Sequence, residues 1–202
     1  MSATQILQQA VALHRQGRVQ EAALLYQQAL QVEPEHVEAL HLLGAALLQA
    51  GQAQQALPFL QKAVRLRPDF ADAHANLGAV LRRAGRPADA LSSFETAVHL
   101  DPKLVEALVG YANALFELGR NEEALKKFDA ALQLAPGHAF AHCNRGAVLQ
   151  VLQRHADALD AFDRAISITP QMAEAHANRG NALRELNRPS DAVAACERAL
   201  AL

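Results

Sequence analysis

The chain has no tryptophan, and Phe, Trp and Tyr together make up only 4% of its 202 residues. A core of large rings is therefore excluded, and the 51% apolar share must pack through alanine and leucine in closely set helices. Cysteine is scarce too. Cys143 and Cys196 are too few for a disulfide framework, so we expect a reduced, cytoplasmic protein. Neither sign of charge dominates: 19 Lys and Arg stand against 21 Asp and Glu, for a net charge of −2. That balance creates no field able to gather phosphate backbones or anionic lipid, so neither nucleic acid nor a membrane is an expected partner. Long apolar runs are missing as well, because Gln, Arg and His interrupt every Ala-rich stretch. The opening MSATQILQQA has neither the basic start nor the apolar run of a secretory signal.

What the chain does have is a period. Pro34, Pro68, Pro102, Pro136 and Pro170 are each separated by 34 residues. DALSSFETAVHLDP, EALKKFDAALQLAP and DALDAFDRAISITP end at three of those prolines. Counting in this register gives repeats at 3–36, 37–70, 71–104, 105–138, 139–172 and 173–202, the last one short. Position 8 of the repeat is always small (Ala10, Gly44, Gly78, Ala112, Gly146, Gly180), and position 11 is always leucine. Positions 20 and 27 are alanine in all six repeats, and position 24 is Tyr26, Leu60, Phe94, Phe128, Phe162 and Cys196. Small residues in fixed columns let helix backbones approach, and large ones at positions 11 and 24 fill the remaining space. Cys196 is read as a small buried member of that column.

Each repeat divides into two helices, with apolar residues at three- and four-residue spacing as in Leu77, Val80, Leu81 and Ala84. The first helix ends at a left-handed position filled by Gly17, Gly51, Gly85, Gly119 and Asn187, with Gln153 the exception. The second opens on acids such as Asp89, Glu123, Asp157 and Asp191, which suit the positive end of its dipole, and the proline at position 32 stops it.

Catalysis finds no support in the residues. There is no Gly-rich phosphate loop, nucleophile elbow or HExxH, so we expect no enzyme, cofactor or metal. His74, His142 and His176 share position 4, but helices of successive repeats lie about 8–10 Å apart, too far to share one small ion. They are read as partly buried rings in place of an aromatic. His138 follows Pro136 and Gly137 in a turn, which does not commit it to the face that carries His142 and Cys143.

Leu43-Gly44, Leu47, Ala56, Ala63 and Pro68, with the same columns in the other repeats, resemble the tetratricopeptide repeat family over residues 3–202. Where that family often has Trp, this chain has Leu40, His74, Leu108, His142 and His176. The resemblance implies an all-α fold: one domain over 1–202, a right-handed superhelical α-solenoid of about twelve antiparallel helices, stacked because no helix pair alone can bury its apolar face. It further implies a protein or peptide partner held in the concave groove by positions 2, 5, 6, 9, 12 and 13 of the first helices. In this chain that wall includes Asn76, Arg82 and Arg83; Val109, Asn113 and Phe116; Phe140, Cys143, Asn144 and Val151; and Asn178, Asn181 and Arg184. Val109, Phe116, Phe140, Cys143 and Val151 form either an exposed apolar contact site or a cluster packed across repeat boundaries. The asparagines are either peptide contacts or ordinary occupants of their columns. The cations of a carboxylate-clamping groove are missing from repeats four to six.

Three functional readings follow. The first is an interaction scaffold for a peptide or helix. The second is the substrate-recruiting arm of a larger enzyme, since the chain also resembles the repeat arm of O-linked N-acetylglucosamine transferases and related bacterial glycosyltransferases. The third is self-association through the last repeat, with Leu183, Leu186, Val193 and Leu200 expected to be exposed.

Overall fold

The computed structural model describes residues 1–202, which form twelve α-helices and no strand. The first helices of the repeats are α1 (Ala3–Arg15), α3 (Val37–Gln49), α5 (Ala71–Arg83), α7 (Val105–Glu117), α9 (Ala139–Val151) and α11 (Ala173–Glu185), termed A helices. The second, or B, helices are α2 (Val19–Val32), α4 (Ala53–Leu66), α6 (Pro87–Leu100), α8 (Asn121–Leu134), α10 (His155–Ile168) and α12 (Pro189–Leu200). The chain divides into two compact units, Met1–Gly110 and Tyr111–Leu202, the division falling inside α7. Within the first unit α1 to α5 each pack on the next helix in the chain; within the second, α8 to α11 do the same.

The repeated columns form the cores. Alanines at positions 20 and 27 have no exposed surface from Ala22 to Ala165, and the ring or leucine at position 24 is buried from Tyr26 to Phe162. Position 8 lies beneath position 24 in the same repeat. A Cβ added at Gly44 would stand 2.5 Å from Leu60 Cγ, and one at Gly146 would stand 2.5 Å from Phe162 Cε1. Small residues at position 8 are thus the space into which the position-24 side chain fits. Cys196 departs from this pattern: it sits over Gly180 as its counterparts do, yet it is exposed, because no helix lies on the outer side of α12. Its reading as a buried residue is corrected accordingly.

Both ends of each helix are set by local chemistry. The residue before each proline is extended, as at Glu33 (φ −135°, ψ 89°) and Arg67 (φ −135°, ψ 87°), the region to which a following proline confines it. Three histidines at position 4 reach back over this turn. His74, His142 and His176 each donate Nε2–H to the carbonyl of the preceding Pro68, Pro136 or Pro170, at 2.9, 2.9 and 3.0 Å. The three rings are partly buried, as expected, and in addition they clasp the repeat-to-repeat turn. His36 and His138 cap the next A helix by accepting from Ala39 N and Ala141 N.

All six A helices end in the same motif, in which the amide two residues after the cap bonds back to the position-11 leucine carbonyl, as Arg120 N does to Leu115 O at 2.9 Å. The motif needs one left-handed residue. Gly119 supplies it at φ 74°, and Gln153, the apparent exception in the sequence, adopts the same conformation at φ 61°. Tertiary stacking imposes the turn on a residue that disfavours it by roughly 1–2 kcal/mol. Gln153→Gly should therefore raise the unfolding free energy by about 0.5–1 kcal/mol after allowance for the freer unfolded chain. Urea denaturation reads the change; no gain would mean that the turn is unstrained.

Candidate functional site

The face of interest is the solvent-facing side of the A helices, whose polar residues connect one A helix to the next within each unit. In the first unit, His14 joins α1 to α3: Nδ1 accepts from Tyr26 Oη and Nε2 donates to Gln49 Oε1, both at 3.1 Å. His41 on α3 accepts from Asn76 Nδ2 on α5 at 2.8 Å. Its ring lies 4.6 Å from that of Phe70, which carries the Arg67 guanidinium 3.9 Å from its centroid. Arg83 Nη1 donates to the Leu48 carbonyl at 2.9 Å, and Arg82 is half-buried. Beside them Thr4, Leu7, Gln8, Val11, Ala12, Arg15 and Glu38 line a depression of about 390 Å³. Of these, sequence reasoning placed Glu38 alone on the contact wall, although Leu7, Gln8 and Val11 occupy positions 5, 6 and 9, the same columns used in the other repeats.

In the second unit, Asn144 Nδ2 on α9 donates to Asn113 Oδ1 on α7 at 2.9 Å, and Gln150 Nε2 donates to the Asn178 carbonyl on α11 at 3.2 Å. Asn76 and Asn144 therefore each spend part of their hydrogen-bonding capacity on a neighbouring A helix. Asn178 is half-buried; Asn181 and Arg184 are exposed, the latter 3.2 Å from Glu185.

The expected apolar cluster does not exist as one exposed patch. Val109 is 8% exposed and Cys143 1%, so both belong to the packed interior and are closed to a partner. Position 5 faces the seam between successive A helices, where Leu7 and Ala75 are also buried. Burial pushes the Cys143 thiol up to about 11, with the Glu174 carboxylate adding to the rise and a hydrogen bond from Asn178 opposing it. Phe116 is half-buried. What remains outside is Phe140, 62% exposed at the start of α9, and Val151, 53% exposed at its end. Leu183, expected at the surface of the last repeat, is fully buried, whereas Val193 and Leu200 are exposed and Leu186 is half-buried.

A further column escaped sequence reasoning. Arginine at position 16 pairs with the acid three residues on at the start of five B helices: Arg18 with Glu21, Arg86 with Asp89, Arg120 with Glu123, Arg154 with Asp157 and Arg188 with Asp191. These exposed pairs brace the turn between A and B helices. Between a B helix and the A helix that follows it, Arg145 meets Asp129 and Arg179 meets Asp163, each at 2.6 Å. No three His, Cys, Asp or Glu side chains converge on a point that could hold a metal ion, and no helix is long and apolar enough to cross a membrane.

Tetratricopeptide repeat profiles match residues 75–139 and 143–202 in one form and residues 13–80 and 47–89 in another; the chain belongs to the tetratricopeptide repeat family. No curated protein matches the sequence. Among solved structures, the chain is similar to MamA at 25% identity and a TM-score of 0.70, over 78% of this chain and 92% of that one. It is similar at 28% identity and a TM-score of 0.67 to YrrB, described as a tetratricopeptide repeat protein with an unusual peptide-binding site, over 84% of this chain and 88% of that one. PilW, described as a widely conserved type IV pilus biogenesis factor, shares the fold at a TM-score of 0.85 and 18% identity, over 96% and 90% of the two chains. Family and neighbours together support a role in protein interaction.

His41 makes the first unit sensitive to acid. Burial depresses its affinity for a proton below the ordinary value near 6.5; Asp72 and Glu38 pull the other way, and Arg67 adds to the depression. Above that value the folded and unfolded chains both carry neutral His41, and its contribution to stability is complete. As pH falls through about 6.5 the unfolded chain protonates first, so stability is lost until the lower, folded value is passed. Unfolding free energies measured between about pH 7.5 and 5 should fall less in His41→Gln than in the parent chain. Equal slopes would contradict this assignment.

Proposed function

We propose that this chain is an interaction scaffold whose A-helix face holds a peptide or helix of a partner protein. The observation that carries this reading is the pair Phe140 and Val151, two large apolar side chains more than half exposed at opposite ends of one helix. They stand eleven residues apart, so their backbones are separated by about 16 Å along α9. Asn144 and Gln150 lie between them in the sequence, and each amide retains hydrogen-bonding capacity beyond its bond to a neighbouring helix. Apolar anchors flanking polar amides suit a chain segment that inserts two side chains and presents backbone or polar groups between them. The peptide-binding site described for YrrB supports the same reading. A recruiting arm of a larger enzyme would use this face in the same way.

Peptides selected against the purified chain from a displayed random library should lose at least about tenfold in affinity when Phe140 and Val151 are both replaced by serine. Both side chains are largely in water already, so the unfolding transition should stay within about 0.5 kcal/mol of the parent. Selected peptides that bind the double variant as tightly as the parent would overturn this site.

A further inference from the structure

The row of side chains between Phe140 and Val151 restricts the shape of what can lie on it. Phe140, Asn144, Ala147 and Val151 stand at repeat positions 2, 6, 9 and 13 of α9, a spacing of four, three and four residues that lines them up along one side of the helix. The two outer members are exposed and the two inner ones half-buried, with the methyl group of Ala147 as the low point of the row. In every other A helix the two outer positions hold polar or charged side chains. Both positions are exposed in all six A helices, so the exposure of Phe140 and Val151 does not arise from a missing neighbour.

Length selects the backbone of the occupant. Phe140 and Val151 lie about 16 Å apart along the axis of α9, or about three helical turns. An extended segment repeats its side chains on one side every second residue and would offer same-side anchors about 13 or 20 Å apart, neither of which matches. A helix offers residues i and i+11 on one face at about 16 Å, and a bulky residue between them fills the low point at Ala147.

Charge selects one flank. α11 lies beside α9 and carries Glu174 and Glu185 at positions 2 and 13, both exposed. Arg184 stands 3.2 Å from Glu185 and offsets it. Glu174 has no cation within ion-pair distance. Its negative charge acts on the Cys143 thiol, which lies one turn along α9 from Phe140, so its field falls where a segment over Phe140 would lie. A cation on the occupant's flank meets that field without displacing any existing partner.

We propose that the segment held on this face is an amphipathic α-helix of another protein, laid along α9, with apolar residues at i and i+11 and a lysine or arginine on the flank that meets Glu174. The assignment rests on Phe140 and Val151 being the docking site and specifies what docks there.

The probes are peptides of about 16 residues, long enough for four helical turns, selected against the parent chain from a displayed random library and labelled for fluorescence anisotropy. Their circular dichroism should gain helix on binding, and a proline scan through the central turns should abolish binding at every position, where an extended segment would tolerate several. Glu174→Lys should weaken binding about tenfold. When the lysines and arginines of a peptide are changed one at a time to glutamate, at least one changed peptide should bind Glu174→Lys better than it binds the parent. Peptides that lose affinity with Phe140→Ser and Val151→Ser yet tolerate the prolines, or bind Glu174→Lys as tightly as the parent, would overturn this proposal and leave the docking site standing. Peptides indifferent to Phe140→Ser and Val151→Ser, or a selection that yields none, would overturn both. A dimer in sedimentation equilibrium that Phe140→Ser converts to monomer would also overturn the proposal, since a second copy would then occupy the face.

Discussion

Everything in this structure depends on one packing relation: a large side chain at the middle of each B helix set over a small residue of the A helix before it. A pair of helices of 13 and 14 residues cannot enclose such a side chain alone. Phe162 shows how the enclosure is completed, with Gly146 beneath it in its own repeat and α11 lying on α10. Once position 24 must be dry, positions 8, 20 and 27 must be small, and those are the columns that do not vary in size. Leucine at position 11 and proline at position 32 are held constant as well, and many of the more variable positions meet water.

The same relation explains how the A-helix face becomes a usable surface. Stacking fixes successive A helices side by side within each unit, and the polar bonds His14 to Gln49, His41 to Asn76 and Asn144 to Asn113 join them across the seams. Such bonds contribute modestly to stability, on the order of 1 kcal/mol each where both groups would otherwise be hydrated. Their greater effect is to hold side chains at defined positions, so that Phe140 and Val151 are offered from a supported helix and not from a loop.

The fold was legible because its signals are periodic. Prolines at a fixed spacing, alanine columns and the left-handed residue after each A helix all report backbone geometry, which repeats with the chain. The departures were local. Gln153 takes a conformation its residue type disfavours because the turn it occupies closes with the same backbone bond, Arg154 N to Leu149 O, as in the other five repeats. Val109 and Cys143 looked like surface anchors because position 5 sits at the margin of the A-helix face, where the distance between adjacent helices decides whether a side chain is covered. Cys196 looked like core because its column is core in every other repeat. The histidine clasps could not be foreseen from spacing alone, since a bond from position 4 back to the carbonyl of position 32 depends on the path of the turn. The position-16 arginines, by contrast, were present in the sequence as plainly as the alanines, but alternate exposed pairs resemble ordinary surface charge.

If each repeat stays dry by using its neighbour, a B helix covered on one side only must open more easily than one covered on both. Native-state hydrogen exchange resolves this directly by comparing backbone amides of α12 with those of α10 in the same unit. The amides of α12 should exchange through a local opening at least about tenfold more often than those of α10, which open only with a larger part of the unit. Equal protection in the two helices would show that each pair is stable by itself, and would contradict the dependence of every repeat on the one beside it.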